Sequence, residues 1–218
     1  MTITDAADRR RQPAGQPTKT SRFPRTGRRR QRVSDVLARR QPDLTVVLED
    51  VHDPHNASAV LRSCDAVGVA AVHLVYRNEM PPEQAFARTT SASAAKWVET
   101  IRHDSVEACY AALREEGFTI LATAVGAESR NLCDIDFCLP TALVFGNEMR
   151  GLTEEAIARA DGRIVIPMMG MVQSLNISVA CAVVLYEALR QRRAAGHYDA
   201  AKFDARTHER LTEEWLLR

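Results

Sequence analysis

The chain has 218 residues, 45% of them hydrophobic and 26% charged, with a net charge of +1 at neutral pH. That length can bury a full core without disulfide or metal staples, and no apolar run is long enough to span a bilayer. Five cysteines, an odd number with no Cys-x-x-Cys pair, fit reduced thiols in the cytoplasm, and the polar, basic N-terminus lacks the apolar segment of a secretory signal.

The small net charge hides a split. Residues 1–40 carry 12 Lys/Arg against 3 Asp/Glu, a net of +9, and the rest carry 17 against 25, a net of −8. A basic arm on a mildly acidic body points to a polyanionic partner reached through the arm.

In chain order, residues 1–27 mix Pro and Gly with Arg, Gln and Thr, a composition that does not repay ordering and predicts a disordered tail. From Arg28 to Pro42, Val33, Val36 and Leu37 fall at helical spacing among arginines, so a short basic helix is expected. Leu44–Leu48 reads as a buried strand. Asn56 is the expected N-cap of a helix over 57–67, with Gly68 as its stop. Val69–Tyr76 is the second strand, and this strand–helix–strand unit implies a parallel sheet. Residues 77–95 read as a long loop, and Lys96–Ile101 as a short strand. A helix capped by Ser105 follows, then strands over Phe118–Ala124 and Thr141–Phe145, a helix over Thr153–Ala160 and a strand over Ile164–Ile166. Pro167 ends that strand because it has no N–H for the ladder. A long apolar helix to Arg193 comes next, with Ser174 as a candidate cap, and a short amphipathic helix over 207–217 closes the chain.

Several chemistries are disfavoured. Gly146–Gly151 (GNEMRG) lacks the Lys-Ser/Thr of a phosphate loop, and no GxGxxG follows the first strand. Glu49, Asp50, His52, Asp53 and His55 cluster without a second ligand group to complete them, so no metal is expected. Ser174 has no nucleophile elbow around it. What remains is a polar pair, Ser174 and Asn176, where a strand gives way to a helix, which is where open α/β sheets bind ligands.

Three segments together are distinctive: Asn56-x5-Arg62 after a strand, LVFGNEMRGL at 143–152, and IPMMGMVQSLNISVA at 166–180. Their order and spacing resemble the SpoU (TrmH-like) branch of the SPOUT RNA methyltransferases, over roughly Arg28 to the C-terminus. The resemblance is nearest to the type that methylates a guanosine ribose in tRNA. It implies an α/β knot fold, a parallel sheet with a deep trefoil knot in its C-terminal part. It divides the chain into a tail (1–27), a basic helix (28–42), a methyltransferase domain (43–193) and a C-terminal extension (194–218). It also implies S-adenosylmethionine as methyl donor, tRNA as substrate, a homodimer, and transfer to a 2′-hydroxyl, most simply that of the D-loop guanosine at tRNA position 18.

By the same resemblance Arg62 assists the 2′-oxygen. A guanidinium is a poor base, so its role is read as holding the target phosphate and stabilising a developing alkoxide. Asn56 orients Arg62 or the substrate, and Glu148, Ser174 and Asn176 shape the pocket. Thr123, Gly146, Ile166 and Leu175 match cofactor-contacting positions. Arg29, Arg32, Arg40, Arg190 and Arg192 match basic positions expected to hold tRNA. Two departures stand out: residues 1–27 exceed the usual short arm, and TTSASAAK at 89–96 has alanines where relatives often carry Gly, Ser or His. The rival readings are a ribosomal or tRNA-wobble 2′-O-methyltransferase, and a non-catalytic RNA-binding protein on the same fold. The single basic helix argues against the first, and the intact polar residues against the second.

Overall fold

The computed structural model describes residues 27–77 and 94–218. All but the ends of the expected tail and of the loop over 77–95 therefore lie outside the described residues. Of that loop's end, Ala94–Lys96 form one 3-10 turn.

Seven strands are described: β1 (Leu44–Glu49), β2 (Ala71–Val75), β3 (Glu99–His103), β4 (Thr119–Thr123), β5 (Arg130–Asn131), β6 (Thr141–Phe145) and β7 (Gly162–Val165). They form one parallel sheet in the order β3-β2-β1-β6-β4-β7-β5. β1 and β6, side by side at the centre, are buried at every position. Parallel strands covered on both faces need such unbroken apolar runs. The two-residue β5 was not anticipated, because two polar residues carry no periodicity.

Among the described residues there are six α-helices: α1 (Gly27–Leu37), α2 (Pro54–Val67), α3 (Val106–Glu115), α4 (Glu154–Arg159), α5 (Ile177–Ala194) and α6 (Ala205–Leu216). One face packs α2 and α5 onto Val46, Leu48, Val72 and Leu143. The other packs α3 onto Val47, Val75, Ile120 and Val144. A satellite cluster of Val33, Leu37, Trp215 and Leu216 joins α1 to α6.

Two expected caps are replaced. Asp53, not Asn56, caps α2: its carboxylate accepts the His55 N–H at 2.9 Å, with Pro54 opening the helix. Asn176, not Ser174, caps α5, accepting the Ser178 N–H at 2.9 Å. Gly68 does stop α2, at φ +88°, where a Cβ would meet the Arg39 carbonyl at 2.7 Å.

Arg40 and Arg192 have different work from the phosphate contacts expected of them. Arg192 is fully buried, and its five N–H groups all have acceptors: Phe137 O (2.7 Å), Gln41 Oε1 (3.2 Å), Asp43 Oδ1 (2.7 Å), Asp43 O (2.9 Å) and Leu139 O (3.0 Å). It ties the end of α5 to the segments that enter β1 and β6. Arg40, 1% exposed, bonds Asp65 at 2.5 Å, Val69 O at 2.9 Å and Trp97 O at 3.1 Å, beneath the Trp215 ring. A guanidinium so enclosed offers no face to a nucleic-acid phosphate. Burial alone would raise the Asp43 carboxyl, but hydrogen bonds from Lys202 and Arg192 outweigh it and hold it below the ordinary range.

Between β2 and the edge strand β3, His73 Nδ1 and His103 Nε2 share a hydrogen bond of 2.8 Å. Burial first, and the His103 charge second, push His73 down to about 4. Its unfolded value is about 6.5. Between those values the unfolded chain takes up a proton that the folded chain refuses. This contribution to stability is therefore fully present above about pH 6.5 and is lost as pH falls towards 4. Urea denaturation of wild type and His73→Gln between pH 7.5 and 4.5 should show a shallower pH dependence in the variant. Identical slopes would mean that His73 is not held neutral.

Candidate active site

The three motif segments meet at the carboxyl edge of the sheet. Thr123 ends β4, Gly146 follows β6 directly, and Ile166 follows β7 directly. The register Ala122–Val144 and Thr123–Ile164 places these three expected cofactor contacts at the mouths of adjacent strands. The Thr123 hydroxyl donates to Val144 O at 2.7 Å. Ile166 packs against the main core, and Leu175 is partly exposed.

The loop after β6 is built around a residue that the motif reading passed over. Asn147 Oδ1 accepts the Met149 and Arg150 N–H groups at 2.9 and 3.1 Å, while its Nδ2 donates to Asp50 O at 2.9 Å. Its backbone exchanges hydrogen bonds with Gly151. An Asn after Gly in a short glycine-bracketed turn was the available signal, since Asn side chains mimic a backbone turn. Gly146 is needed because a Cβ there would overlap the Gly151 carbonyl and the Leu152 nitrogen. Asp50, at φ +51° just beyond β1, holds the left-handed conformation that Asp tolerates better than most residues. Its carboxylate accepts the Arg77 N–H at 3.0 Å. Glu49, buried, accepts both the N–H and the hydroxyl of Thr153, at 3.0 and 2.7 Å. Glu49, Asp50 and Asp53 are thus engaged in scaffold bonds, and His52 lies against the Tyr76 ring.

This scaffold presents a line of side chains drawn from all three motifs. Asn56 Nδ2 donates to Glu148 Oε1 at 2.9 Å, and Asn176 Nδ2 donates to Asn56 Oδ1 at 3.1 Å. Asn176 Oδ1 in turn accepts the N–H and hydroxyl of Ser178, at 2.9 and 2.6 Å. Because Asp53 caps α2, the Asn56 amide is free to bridge the other two. Both α2 and α5 begin here, so their amino termini favour negative charge at the site. Arg62 is exposed on α2, six residues or about 9 Å along the axis from Asn56. Ser174 is exposed in the loop before α5, and neither residue belongs to the hydrogen-bonded line just described. Of the basic positions, Arg32 and Arg190 are exposed and Arg29 is half-buried. Arg190 pairs with Glu187 at 2.8 Å.

A parallel α/β sheet whose carboxyl edge joins three polar motif segments beside two helix amino termini defines the class of α/β domains that bind ligands at the strand mouths. The particular family follows from comparison: residues 43–186 match the model of the SpoU rRNA Methylase family, and the chain belongs to it. It is similar to the tRNA (guanosine(18)-2′-O)-methyltransferase of Thermus thermophilus, 49% identical over 192 residues, 88% of this chain and 97% of that protein. Among solved structures it is similar to the A. aeolicus TrmH/SpoU tRNA modifying enzyme, with 36% identity, a TM-score of 0.78, and 87% and 95% of the two chains covered. It is also similar to the SpoU methyltransferase AviRb of Streptomyces viridochromogenes in complex with AdoMet, with 27% identity, a TM-score of 0.64, and 73% and 62% covered.

Proposed function

We propose that this protein transfers a methyl group from S-adenosylmethionine to the ribose 2′-hydroxyl of a tRNA guanosine, the D-loop guanosine at position 18. The observation that carries the chemistry is the Glu148–Asn56–Asn176 line, which unites all three motifs at the strand mouths. The substrate rests on the near-complete coverage of the T. thermophilus tRNA enzyme.

Thr123, Gly146, Ile166 and Leu175 would hold the cofactor, with the glycine turn giving backbone close access. S-adenosylmethionine supplies an electrophilic methyl group on a sulfonium. The chain's own residues do the rest. Arg62 holds the phosphate beside the target ribose and stabilises negative charge growing on the 2′-oxygen. Asn56, fixed by Glu148 and Asn176, keeps α2 and the cofactor loop in register, and Ser174 lines the same loop. In this reading Ile166 to Leu175 is a threaded loop that closes a knot. The insertion of β7 between β4 and β5 supports that threading.

The reading includes a homodimer. Val179, Val183 and Tyr186 recur along one exposed face of α5, and Met169, Met171 and Val172 are exposed in the loop before it. An apolar stripe of this extent is what a second copy would cover. The protein is read as cytoplasmic: all five cysteines are free thiols, and no described helix is long and apolar enough to cross a membrane.

Mass-spectrometric mapping of 2′-O-methylated nucleosides in tRNA from cells with and without the gene tests this directly. Loss of the mark at guanosine 18 is the expected result. An intact mark there, with a loss in ribosomal RNA or at the wobble position, would move the substrate and keep the chemistry.

A further inference from the structure

One cluster of metal-ligating side chains stands apart from the methyl-transfer residues. Among the described residues, His73 of β2, His103 of β3 and Cys109 of α3 bring a ring nitrogen each and a thiol sulfur to within 4.8 Å of one another. Val75 pairs with His103 across the two strands, so His73 and His103 are diagonal neighbours. Residues two apart on a strand share a face, which places His73 on the side where Val75 packs with Cys109. His73 and Cys109 are buried, and His103 is half-buried.

The donor set is selective. Imidazole suits zinc, copper, iron and nickel, and thiolate narrows the choice to copper(I), zinc and iron–sulfur clusters. Zinc is the dication common to both. Two nitrogens on a tetrahedral zinc sit about 3.3 Å apart, and a nitrogen and a sulfur about 3.6 Å, given bonds of about 2.0–2.1 and 2.3 Å. His73 Nδ1 and His103 Nε2 face one another at 2.8 Å, with ring planes 16° apart. To take the ion, these nitrogens must separate by about half an ångström, and the sulfur must close by about 1.2 Å at most. A turn about χ1 of Cys109 and a small turn of the half-buried His103 supply both. β3, which carries His103, is an edge strand with a neighbour on one side only.

We propose that His73, His103 and Cys109 form a zinc(II) site, a staple that ties the edge strand β3 to β2 and α3. Water fills the fourth place, entering past half-buried His103. On binding, the Cys109 thiol proton leaves to solvent as the sulfur–zinc bond forms. The proton between the two facing nitrogens moves to the far nitrogen of its own ring, so both imidazoles stay neutral. Val75, Val106 and Tyr110 share the core cluster with Cys109, and the Tyr110 hydroxyl is taken by Ala156 O at 3.1 Å. Such surroundings suit an ion that holds structure rather than one that meets a substrate. β2 and β3 are the strands that the segment 76–98 connects, so the ion fixes both anchors of that connection. β1 separates them from β6, whose following loop carries Glu148. Zinc should therefore change stability and leave methyl transfer alone.

The test uses the full-length chain without an affinity tag, stripped of metal and kept reduced by a phosphine. It is titrated with zinc(II) and, separately, with cobalt(II). The expected result is one zinc per chain and a Tm raised by roughly 5 °C or more at zinc 100-fold above its Kd. Cobalt should give the visible absorption of a four-coordinate ion and a thiolate-to-cobalt charge-transfer band. That band should survive Cys133→Ser/Cys138→Ser, which removes the two cysteines that are not buried. Cys109→Ala and His103→Ala should each bind zinc about 100-fold more weakly, and Cys109→Ala should lose the charge-transfer band. kcat and S-adenosylmethionine affinity should be the same with and without zinc. No charge-transfer band in wild type would overturn the proposal. So would a band that persists in Cys109→Ala, or zinc binding at wild-type strength in both variants, which would assign the ion to exposed groups such as His52 and His55. His103 is half-buried, so His103→Ala keeps the test decisive even if the buried Cys109→Ala does not fold.

Discussion

Arg62→Ala is expected to lower the methylation rate constant by about 10²-fold or more, the cost of removing one preorganised charge from a site where an oxyanion develops. S-adenosylmethionine affinity should be unchanged, because Arg62 lies on α2 and the proposed cofactor positions lie at the mouths of β4, β6 and β7. Arg62→Lys should recover only part of the rate. A point charge replaces a planar fork that holds two phosphate oxygens at once. Single-turnover methylation with saturating cofactor and tRNA reads the chemical step, and calorimetric titration reads cofactor binding. Wild-type turnover by Arg62→Ala would remove the residue from the mechanism. Turnover and cofactor binding lost together would make it part of the cofactor site instead.

Arg192→Met is expected to be the most destabilising of the arginine substitutions. It keeps a long apolar stem and deletes five hydrogen bonds, leaving three backbone carbonyls, the Gln41 side-chain oxygen and one carboxylate oxygen of Asp43 without their donor. Breaking a buried ion pair from one side typically costs about 3–5 kcal/mol. For a domain of this size that corresponds to a fall in Tm of roughly 10 °C. Arg190→Ala, two residues earlier, should barely move Tm, because Arg190 is an exposed side chain paired within its own helix turn. Differential scanning calorimetry of the two variants separates them. Equal, small shifts would show that Arg192 is not the clamp its hydrogen bonds describe. The two residues were indistinguishable in the string RQRR, and only the packing of α5 assigns one to the interior and the other to solvent.

That contrast marks where sequence reading reached and where it stopped. The strands at 44–48 and 141–145 were legible because unbroken apolar runs between turn residues have few other uses in a parallel sheet. The stop at Gly68 was legible because only a left-handed residue fits there. The caps were misjudged by a few residues. Asp53 and Asn56 are equally good caps by composition, as are Ser174 and Asn176, and which one adopts the non-helical backbone is set by how the preceding strand delivers the chain. That shift has a functional consequence, because it leaves the Asn56 side chain free to bridge Glu148 and Asn176.

The amino-acid sequence by itself determined the class of fold, the three motif segments and the basic character of the N-terminal arm. Each depends on local pattern: periodicity, glycine placement, charge and motif spacing. The tertiary structure decided which polar residues meet and which arginines face solvent. Those outcomes depend on residues 92 to 151 positions apart in sequence, such as Asn56 with Glu148 and Gln41 with Arg192. A guanidinium's environment is set by what folds over it, and the sequence around it carries no record of that.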